Sequence, residues 1–552
     1  MTKTGGIVHE AGAGSDAGLK GTDAPIVSST MSRRSFAIGA MAGAVATGTC
    51  GALDAQRRGT AFAADASLAV GVPETWDYGA DVVIVGAGAA GYMAACAAHE
   101  QGASSLLLDK GATTGGDSLV SGCITIGPWP ERTLADSGMQ DTQELWLQDQ
   151  LNSHPYSHRG MAGEDVSDDL SFVRRQGELM PDTYVWMQDV AGVQWVNYYY
   201  VNNAWTPQPG WDTVFPRDWT ASNGVIPPLQ GLAESYDDVK TMTETQVTDI
   251  IQDAAGRAIG VWALTGDGNL VSAKARRAVI ISTGTFNSNR FLVNKYLGYQ
   301  VAALSVAAQC NSTGDGLLLA QEAGGATRDL GPGTHWSPQT LANTSTFTAS
   351  LAYYGAAPVY PSSLPGILVN ADGRRYCSES LGYSLIGKHT SEQRFHIGWY
   401  VVDAAGAANL IPEDPSNELF AQADTLEELA ARMPVDPTAL AEEVATYNAG
   451  IDAGQDAAFG KYINGCQRIE TAPFYAMPLM PLPYTTYGGI AVDVDGHVLT
   501  PEGDPIPSLY AAGMCTGSFA EQAGLFYLGG IAQSLAFGRQ AGTNAAAEQA
   551  WE

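Results

Sequence analysis

Three mainly apolar runs, each ending at a glycine, are the strongest hydrophobic pattern in this chain. They span Ala80–Val85, which stops at Gly86, then Ala278–Gly284 and Ile506–Gly513. Runs of this length and composition are typical of strands that are buried on both faces of a parallel sheet. The pattern therefore predicts an α/β protein with a mainly parallel sheet, and the high glycine content suits its strand–helix turns.

The first run continues into a glycine-rich turn of the form G-x-G-x-x-G. Gly86-Ala87-Gly88-Ala89-Ala90-Gly91 is followed by an alanine-rich helical stretch, Tyr92–Gln101, and by a second predicted strand, Ser105–Leu108, which ends at Asp109. Gly86 permits the tight turn, Gly88 lets the backbone approach a diphosphate, and Gly91 allows close packing of helix on strand. Asp109 stands 23 residues after Gly86, where a carboxylate accepts hydrogen bonds from ribose hydroxyls. A dinucleotide site is predicted, and a glycine turn without a ligand is the alternative.

Charge and cysteine spacing exclude several classes of protein. The chain has 552 residues, with 28 Lys and Arg against 58 Asp and Glu, for a net charge of −30. So acidic a surface repels phosphate backbones and anionic lipids, which argues against nucleic-acid or membrane-surface partners. The seven cysteines form no C-x-x-C pair, so no metal site, cluster or c-type haem is predicted.

The N-terminal region carries the features of an export signal. Residues 1–30 are polar and without period, Ser32–Phe36 contains twin arginines, Ala37–Thr47 is small and apolar, and Ala61-Phe62-Ala63 matches an A-x-A cleavage site. We expect residues 1–63 to be a leader that directs folded protein through the twin-arginine route to the periplasm or the extracytoplasmic cell envelope. The apolar stretch is too short for a stable membrane span.

A second glycine–serine loop, Gly115–Gly122, follows the second strand, where a nicotinamide enzyme would continue its alternating strands. Together with the runs at 278–284 and 506–513 and with Gly529-Gly530-Ile531, it resembles the flavoprotein family of fumarate reductase, succinate dehydrogenase and 3-ketosteroid dehydrogenase. The resemblance covers nearly all of residues 79–552. It implies FAD and a discontinuous Rossmann-like FAD-binding domain (79–330 and 485–552) with an inserted α+β capping domain at 331–484.

The resemblance and the first fingerprint together imply a set of FAD-contacting positions along the whole chain. These are Gly86, Gly88, Ala89, Ala90, Gly91, Asp109, Lys110, Gly115, Gly116, Asp117, Ser118, Ser121, Gly122, Val247, Thr283, Gly284, Asn289, Gly513, Met514, Gly530 and Ile531.

The same resemblance points to the proton-transferring group. Gly373–Glu379 is similar to the family stretch G-x-R-F-x-N-E, after which fumarate reductases carry a proton-donating arginine. Tyr383 stands at that position here, as a tyrosine does in 3-ketosteroid dehydrogenases. Tyr527 is similar to the tyrosine whose hydroxyl binds the keto oxygen in those enzymes. In Tyr484–Gly489 the carboxylate-binding histidine of the reductases is missing.

These departures favour a neutral substrate, because dicarboxylates need buried guanidinium donors and tyrosine supplies only hydroxyls. We therefore expect an FAD-dependent oxidoreductase that reduces or forms a C=C bond conjugated to a carbonyl in an apolar, steroid-like or enone molecule. His335 and Tyr198 are further candidates for substrate contact. A reductase of unsaturated acids such as fumarate or urocanate, and a flavin electron carrier without catalysis, remain the alternatives. A separate cytochrome or quinone-linked partner is expected to exchange the electrons.

Overall fold

The computed structural model describes residues 71–119, 121, 123–132, 141–152, 154, 163–197, 218–221, 223–298, 301, 311–331, 334–339, 365–380, 383–407, 421–461, 463, 466–525 and 529–551. The strands are β1 (Tyr78–Val85), β2 (Ser105–Leu108), β3 (Ile124–Ile126), β4 (Trp195–Asn197), β5 (Asp218–Ala221), β6 (Val239–Met242), β7 (Thr245–Gln252), β8 (Ala258–Thr265), β9 (Leu270–Ile281), β10 (Thr327–Arg328), β11 (Thr334–Gln339), β12 (Ile367–Asn370), β13 (Gly398–Asp403), β14 (Ala421–Ala423), β15 (Phe474–Thr486), β16 (Gly489–Ile490), β17 (His497–Leu499) and β18 (Pro505–Ala511).

The helices are α1 (Ala89–Glu100), α2 (Gly116–Leu119), α3 (Gln143–Asn152), α4 (Ser171–Asp189), α5 (Ile226–Glu234), α6 (Arg290–Leu297), α7 (Asp315–Glu322), α8 (Tyr383–Ser391), α9 (Ala404–Ala407), α10 (Leu426–Arg432), α11 (Pro437–Ala453), α12 (Phe519–Gln522) and α13 (Gly530–Ala547), with 3₁₀ turns at Arg394–His396 and Gly513–Thr516. Within these described residues, no helix combines the length and apolar character needed to cross a bilayer.

The main sheet has the strand order β17-β18-β9-β1-β2-β6, and its central pairs are parallel. The long strand β9 pairs with β1 along one edge, while its other edge pairs first with β8 and then with β18. Strands that are remote in the sequence are therefore neighbours in one sheet. The mixed α/β architecture with a parallel sheet, predicted from the apolar runs, is confirmed.

Strand β1 is buried on both faces, which explains its nearly continuous apolar sequence. Val83 and Val85 belong to the core on one face, and Val82 and Ile84 to the core on the other, because successive side chains of a strand alternate. On the second face α13 packs directly on α1. The two helices approach so closely that a Cβ on Gly542 would lie 2.2 Å from the Ala94 carbonyl oxygen.

A second sheet is antiparallel and has the order β11-β15-β13-β12, with β14 also on β15. Strand β15 enters it at Phe474 and continues through Thr486. One face of this sheet packs on α10 and α11 through Ile367 and Val401. The opposite face includes Leu368 and Tyr400 in a separate core. Two smaller sheets, β3-β5-β4 and β10-β16, complete the strands.

Candidate cofactor and active site

The turn after β1 is held in the conformation that its glycines allow. Gly86 has φ 101°, and a Cβ there would lie 2.7 Å from the Ser282 carbonyl oxygen. A Cβ on Gly91 would lie 2.1 Å from the Gly86 carbonyl oxygen, so this glycine lets α1 begin directly against the strand. The chain thus brings the N-terminus of α1 to the carboxyl edge of the parallel sheet, where α/β proteins bind nucleotides.

Asp109, at the end of β2, is fixed beside this turn. One carboxylate oxygen accepts the Ala87 N–H at 2.8 Å, and the other accepts the Gly111 N–H at 2.8 Å. Each oxygen keeps acceptor capacity, because a carboxylate oxygen has two lone pairs. The side chain is therefore preorganised to accept further hydrogen bonds from ligand hydroxyls.

These elements border one cleft that contains about 1140 Å³ of space free of protein atoms, counting the part open to solvent. Most of the predicted FAD positions line it: Gly86, Gly88, Ala89, Ala90, Asp109, Lys110, Gly115, Gly116, Asp117, Ser118, Ser121, Val247, Thr283, Gly284, Gly513, Met514, Gly530 and Ile531.

Two predicted positions that the structure describes, Gly91 and Asn289, are not part of the lining. Gly91 contributes through packing rather than as part of the lining. Asn289 also lies outside the lining, because its side chain caps α6 by accepting the N–H groups of Phe291 and Leu292 and donates to the Thr313 carbonyl at 3.0 Å. The Asn289 side chain secures the adjacent chain segment, and direct contact of Asn289 with FAD stays a prediction. Gly122 lies outside the described residues.

The lining also includes residues that sequence reasoning did not identify: Val85, Leu108, Thr245, Gln246, Ser282, Thr285, Asn311, Ser312, Asp315, Thr485 and Ser534. Part of this set could have been identified from the sequence, because the small polar stretch from Asn311 to Gly316 leads directly into α7. Such a stretch at a helix start is typical of loops that border ligands.

The segment after residue 310 faces the loop around α2 across the cleft. Lys110 Nζ forms an ion pair with Asp315 at 2.9 Å and also donates to the Thr313 hydroxyl. The Ser312 hydroxyl donates to the carboxylate of Asp117. Burial raises the pKa of Asp117, and the Ser312 hydrogen bond and the charge of Lys110 offset this only in part.

The geometry fits a bound dinucleotide. Helices α1 and α13 both begin at the cleft, and their N-cap residues are glycines, Gly88 and Gly529, which have no side chain to bond the first turn. Uncapped N–H groups and the positive dipole end of a helix suit a diphosphate. A Cβ on Gly88 would lie 3.9 Å from its nearest neighbours, Gly115 O and Ser118 Oγ, so it would meet no atom closely and would occupy cleft space. Gly88 therefore leaves room for a ligand.

The candidate catalytic residues are described only in part. Tyr383 is the first residue of α8, which packs against β11 and β15, but its side chain lies outside the described atoms. His335 lies in β11 with Thr485 of β15 as its register partner, and Thr485 lines the cleft. The side chain of His335, and all of Tyr198 and Tyr527, lie outside the described residues.

The motif that precedes Tyr383 forms a buried ion network. Arg375 donates through Nε and Nη2 to Glu379 at 3.1 and 2.7 Å, and through Nη1 and Nη2 to Asp456 at 3.2 and 2.9 Å. Lys461 lies 3.5 Å from Glu379, and the Leu368 N–H donates to Glu379 at 2.8 Å. Burial would raise the pKa of Asp456, but its hydrogen bonds from Arg375 and the Arg375 charge lower it instead. The network anchors the segment leading to α8, and none of its four charged residues lines the cleft.

The protein belongs to the family defined by the FAD binding domain, whose family model matches residues 81–531. It is therefore an FAD-dependent oxidoreductase, as the sequence predicted. Groups of His, Cys, Asp and Glu able to hold a metal ion do not occur among the residues that the structure describes.

Relatives cover most of the chain. The protein is 28% identical over 522 residues to digoxin reductase of Eggerthella lenta, a match that spans 86% of this chain and 89% of that protein. It is 28% identical over 490 residues to urocanate reductase of the same organism, spanning 86% and 76%.

Solved structures show the same fold at lower identity. 3-Ketosteroid delta1-dehydrogenase of Sterolibacterium denitrificans, in complex with 1,4-androstadiene-3,17-dione, superimposes with a TM-score of 0.68 at 21% identity, over 85% of this chain and 99% of that one. The open conformation of a flavocytochrome c3 fumarate reductase gives a TM-score of 0.65 at 22% identity, over 85% and 78%.

Proposed function

We propose that this protein is an exported reductase or dehydrogenase acting on a C=C bond conjugated to a carbonyl in a neutral, apolar molecule. One observation carries the proposal. The strand pair β11–β15, on which the helix beginning at Tyr383 packs, also contributes Thr485 to the cofactor cleft. A substrate held between this strand pair and the cleft would have both the cofactor and α8 as neighbours.

The chain's residues divide the work by chemistry. FAD, when bound, supplies hydride transfer to or from the substrate carbon. Tyr383 gives a proton to the neighbouring carbon in reduction, or removes it in dehydrogenation, since a phenol is an adequate acid toward an enolate-like carbon. The Tyr527 hydroxyl donates a hydrogen bond to the carbonyl oxygen and stabilises the charge that develops there. The unit around the second sheet serves as the substrate cap, with His335 and Tyr198 as further contacts.

The relatives support action on C=C bonds, and the steroid dione in one related structure supports a neutral carbonyl substrate. A reductase of unsaturated acids is the second candidate, favoured by the similarity to urocanate reductase. Assays with dye-reduced enzyme separate the two: a steroid enone should reoxidise the flavin, whereas fumarate and urocanate should not. A flavin that no acceptor of either class reoxidises would favour the non-catalytic carrier.

The phenol at 383 is tested by Tyr383→Phe, which removes one hydroxyl and little volume. General acid catalysis is typically worth about 10²–10⁴-fold, so kcat should fall by that order while FAD content and reduction by dye stay normal. Tyr376→Phe is the matched control. Its hydroxyl bonds the Thr390 hydroxyl at 2.8 Å, so this change should lower stability and leave turnover per folded molecule intact. Full turnover by Tyr383→Phe on the true substrate would exclude the assigned role.

Electron supply and location complete the proposal. The sequence contains no haem-attachment, iron–sulfur or second nucleotide motif, so a separate cytochrome or quinone-linked partner is proposed to exchange electrons with the flavin. The flavocytochrome relative supports such a link, and the acidic surface suits a basic partner. The leader at 1–63 is proposed to direct the folded protein to the envelope. Rapid turnover with NADH alone would contradict the need for that partner.

A further inference from the structure

The cleft that receives FAD is lined by more negative than positive side chains. Its charged lining residues, among those described, are Asp109, Lys110, Asp117 and Asp315. Lys110 is paired with Asp315, and Asp109 is held by two backbone N–H groups. Asp117 thus has no cation paired with it in the lining. The diphosphate of FAD adds further negative charge to the same space.

Asp117 lies close to the loop where the diphosphate is expected. It is in the first turn of α2, between Gly116 and Ser118. The Ser118 hydroxyl accepts the Ala89 N–H at 3.4 Å, and the preceding Gly115 N–H donates to the Ala87 carbonyl at 2.8 Å. These bonds tie α2 to the glycine turn at the start of α1. The carboxylate of Asp117 therefore shares the cleft with the N–H groups that suit a phosphate.

Filling the cleft changes the environment of this carboxylate in one direction. Asp117 is only partly exposed in the open cleft, and a bound ligand removes the water it still contacts. Loss of water and the approach of negative charge both favour the protonated form. The groups that face it from neighbouring segments are Ser312, whose single hydroxyl donates to it, and Lys110, whose charge is shared with Asp315.

We propose that Asp117 takes up one proton from solvent when FAD binds, so that a neutral carboxyl accompanies the diphosphate in the holoprotein. The affinity for FAD then falls as pH rises, by about tenfold per pH unit between the pKa of this group in the apoprotein and its higher pKa in the holoprotein. Burial already raises the pKa of Asp117 before the ligand arrives, which agrees with this direction. The inference depends on the cofactor and not on the substrate.

Calorimetric titration of the apoprotein with FAD tests the proposed proton uptake. The titrations use buffers of different ionisation enthalpy at matched pH between about 5.5 and 8.5, a span centred near neutrality. The buffer dependence of the measured heat should reveal uptake approaching one proton over part of this range. Asp117→Asn should abolish the uptake and flatten the pH dependence of Kd. Because the amide resembles the neutral acid, this variant should bind FAD at least as tightly as the unmodified protein at high pH.

Two further variants and one spectrum assign the proton. Asp315→Asn removes another carboxylate of the lining and should retain the uptake, whereas Ser312→Ala, which removes the donor to the charged form, should move the uptake to higher pH. Infrared difference spectra on FAD binding should show a protonated carboxyl band that Asp117→Asn lacks. Absence of uptake at every pH, uptake that persists in Asp117→Asn, or loss of FAD binding by Asp117→Asn would each overturn the proposal.

Discussion

Removing the guanidinium of Arg375 should destabilise the protein far more than removing that of its neighbour Arg374. The Arg375 side chain has no exposed surface and holds Glu379 and Asp456 through paired hydrogen bonds. In Arg375→Met, Lys461 remains as the single cation beside these two buried carboxylates among the residues that the structure describes. The group then changes from two cations and two anions to an interior net charge of −1.

The expected loss is about 3–5 kcal/mol, the usual result of removing one partner of a buried ion pair. This is a large share of a typical unfolding free energy of about 5–15 kcal/mol. Two independent observations agree with strong coupling between this ion network and the surrounding structure. Glu379 also accepts the Leu368 N–H of β12, and the guanidinium of Arg375 lies 4.7 Å from the ring centroid of Phe459. Loss of Arg375 therefore weakens the connection between the second sheet and the segment that leads to α8.

Urea unfolding of the holoprotein, followed by circular dichroism and flavin fluorescence, measures the effect. Arg374→Met is the matched control, because Arg374 is exposed and its partners in the described part of the chain are Glu442 and Glu443 of α11. Exposed pairs contribute little to stability, so its midpoint should hardly move. Replacing Arg375 and Glu379 together by Met should recover part of the loss, since an apolar pair leaves fewer buried charges unpaired. Equal midpoints for Arg374→Met and Arg375→Met would refute the reasoning.

Three further predictions concern the cofactor turn, a histidine pair and export. Gly88→Ala should fold normally and purify with less FAD, because the added Cβ enters open cleft space. Gly91→Ala should lower the unfolding midpoint, because the added Cβ would lie 2.1 Å from a backbone oxygen. Absorbance at the flavin band and urea unfolding distinguish the two effects. The hydrogen bond with Asp493 raises the pKa of His497. For Asp493, the hydrogen bonds from His497 outweigh the effect of burial and lower the pKa. The pair therefore stabilises the folded protein most between about pH 3.8 and 6.5, the pKa values of the two groups in the unfolded chain. Its contribution is lost below this window as Asp493 protonates and above it as His497 loses its proton; Asp493→Asn should flatten the curve of unfolding free energy against pH, and an unchanged curve would argue against the pair. Replacing Arg33-Arg34 by two lysines should retain the full-length protein in the cytoplasm, as fractionation and immunoblotting would detect, and unchanged export would disprove the signal.

The strands and the nucleotide turn were predictable because they depend on local sequence. The apolar run at 80–85 falls within β1, and Ser105–Leu108 coincides with β2. The helix predicted at Tyr92–Gln101 begins three residues earlier, at Ala89, because Gly88 rather than Gly91 ends the turn. Helix α13 runs from Gly530 to Ala547 with Gly542 in its interior, where this glycine lies against α1.

The rest of the site depends on chain segments that meet only after folding. Ser312 and Asp315 border the cleft because Lys110, about two hundred residues earlier, pairs with Asp315, and no local pattern predicts that pairing. The helix-capping role of Asn289 was not predicted for the same reason, since a polar residue after a strand suits a ligand contact and a helix cap equally well. The role of Arg375 was also hidden, because Asp456 and Lys461 lie some eighty residues further along the chain.

The cleft takes its walls from segments as far apart in the sequence as Val85 and Ser534. Strand β18 leads into Gly513 and Met514 of the lining, and helix α13 contributes Gly530, Ile531 and Ser534. A nascent chain on the ribosome can form β1 and its turn early, but its nucleotide site stays incomplete until Ser534 has been translated. Flavin therefore binds only after this late segment has joined the sheet, and chains truncated before Gly513 should not retain FAD. The yellow colour of a preparation accordingly reports the fraction of molecules in which both parts of the cleft are present and folded together.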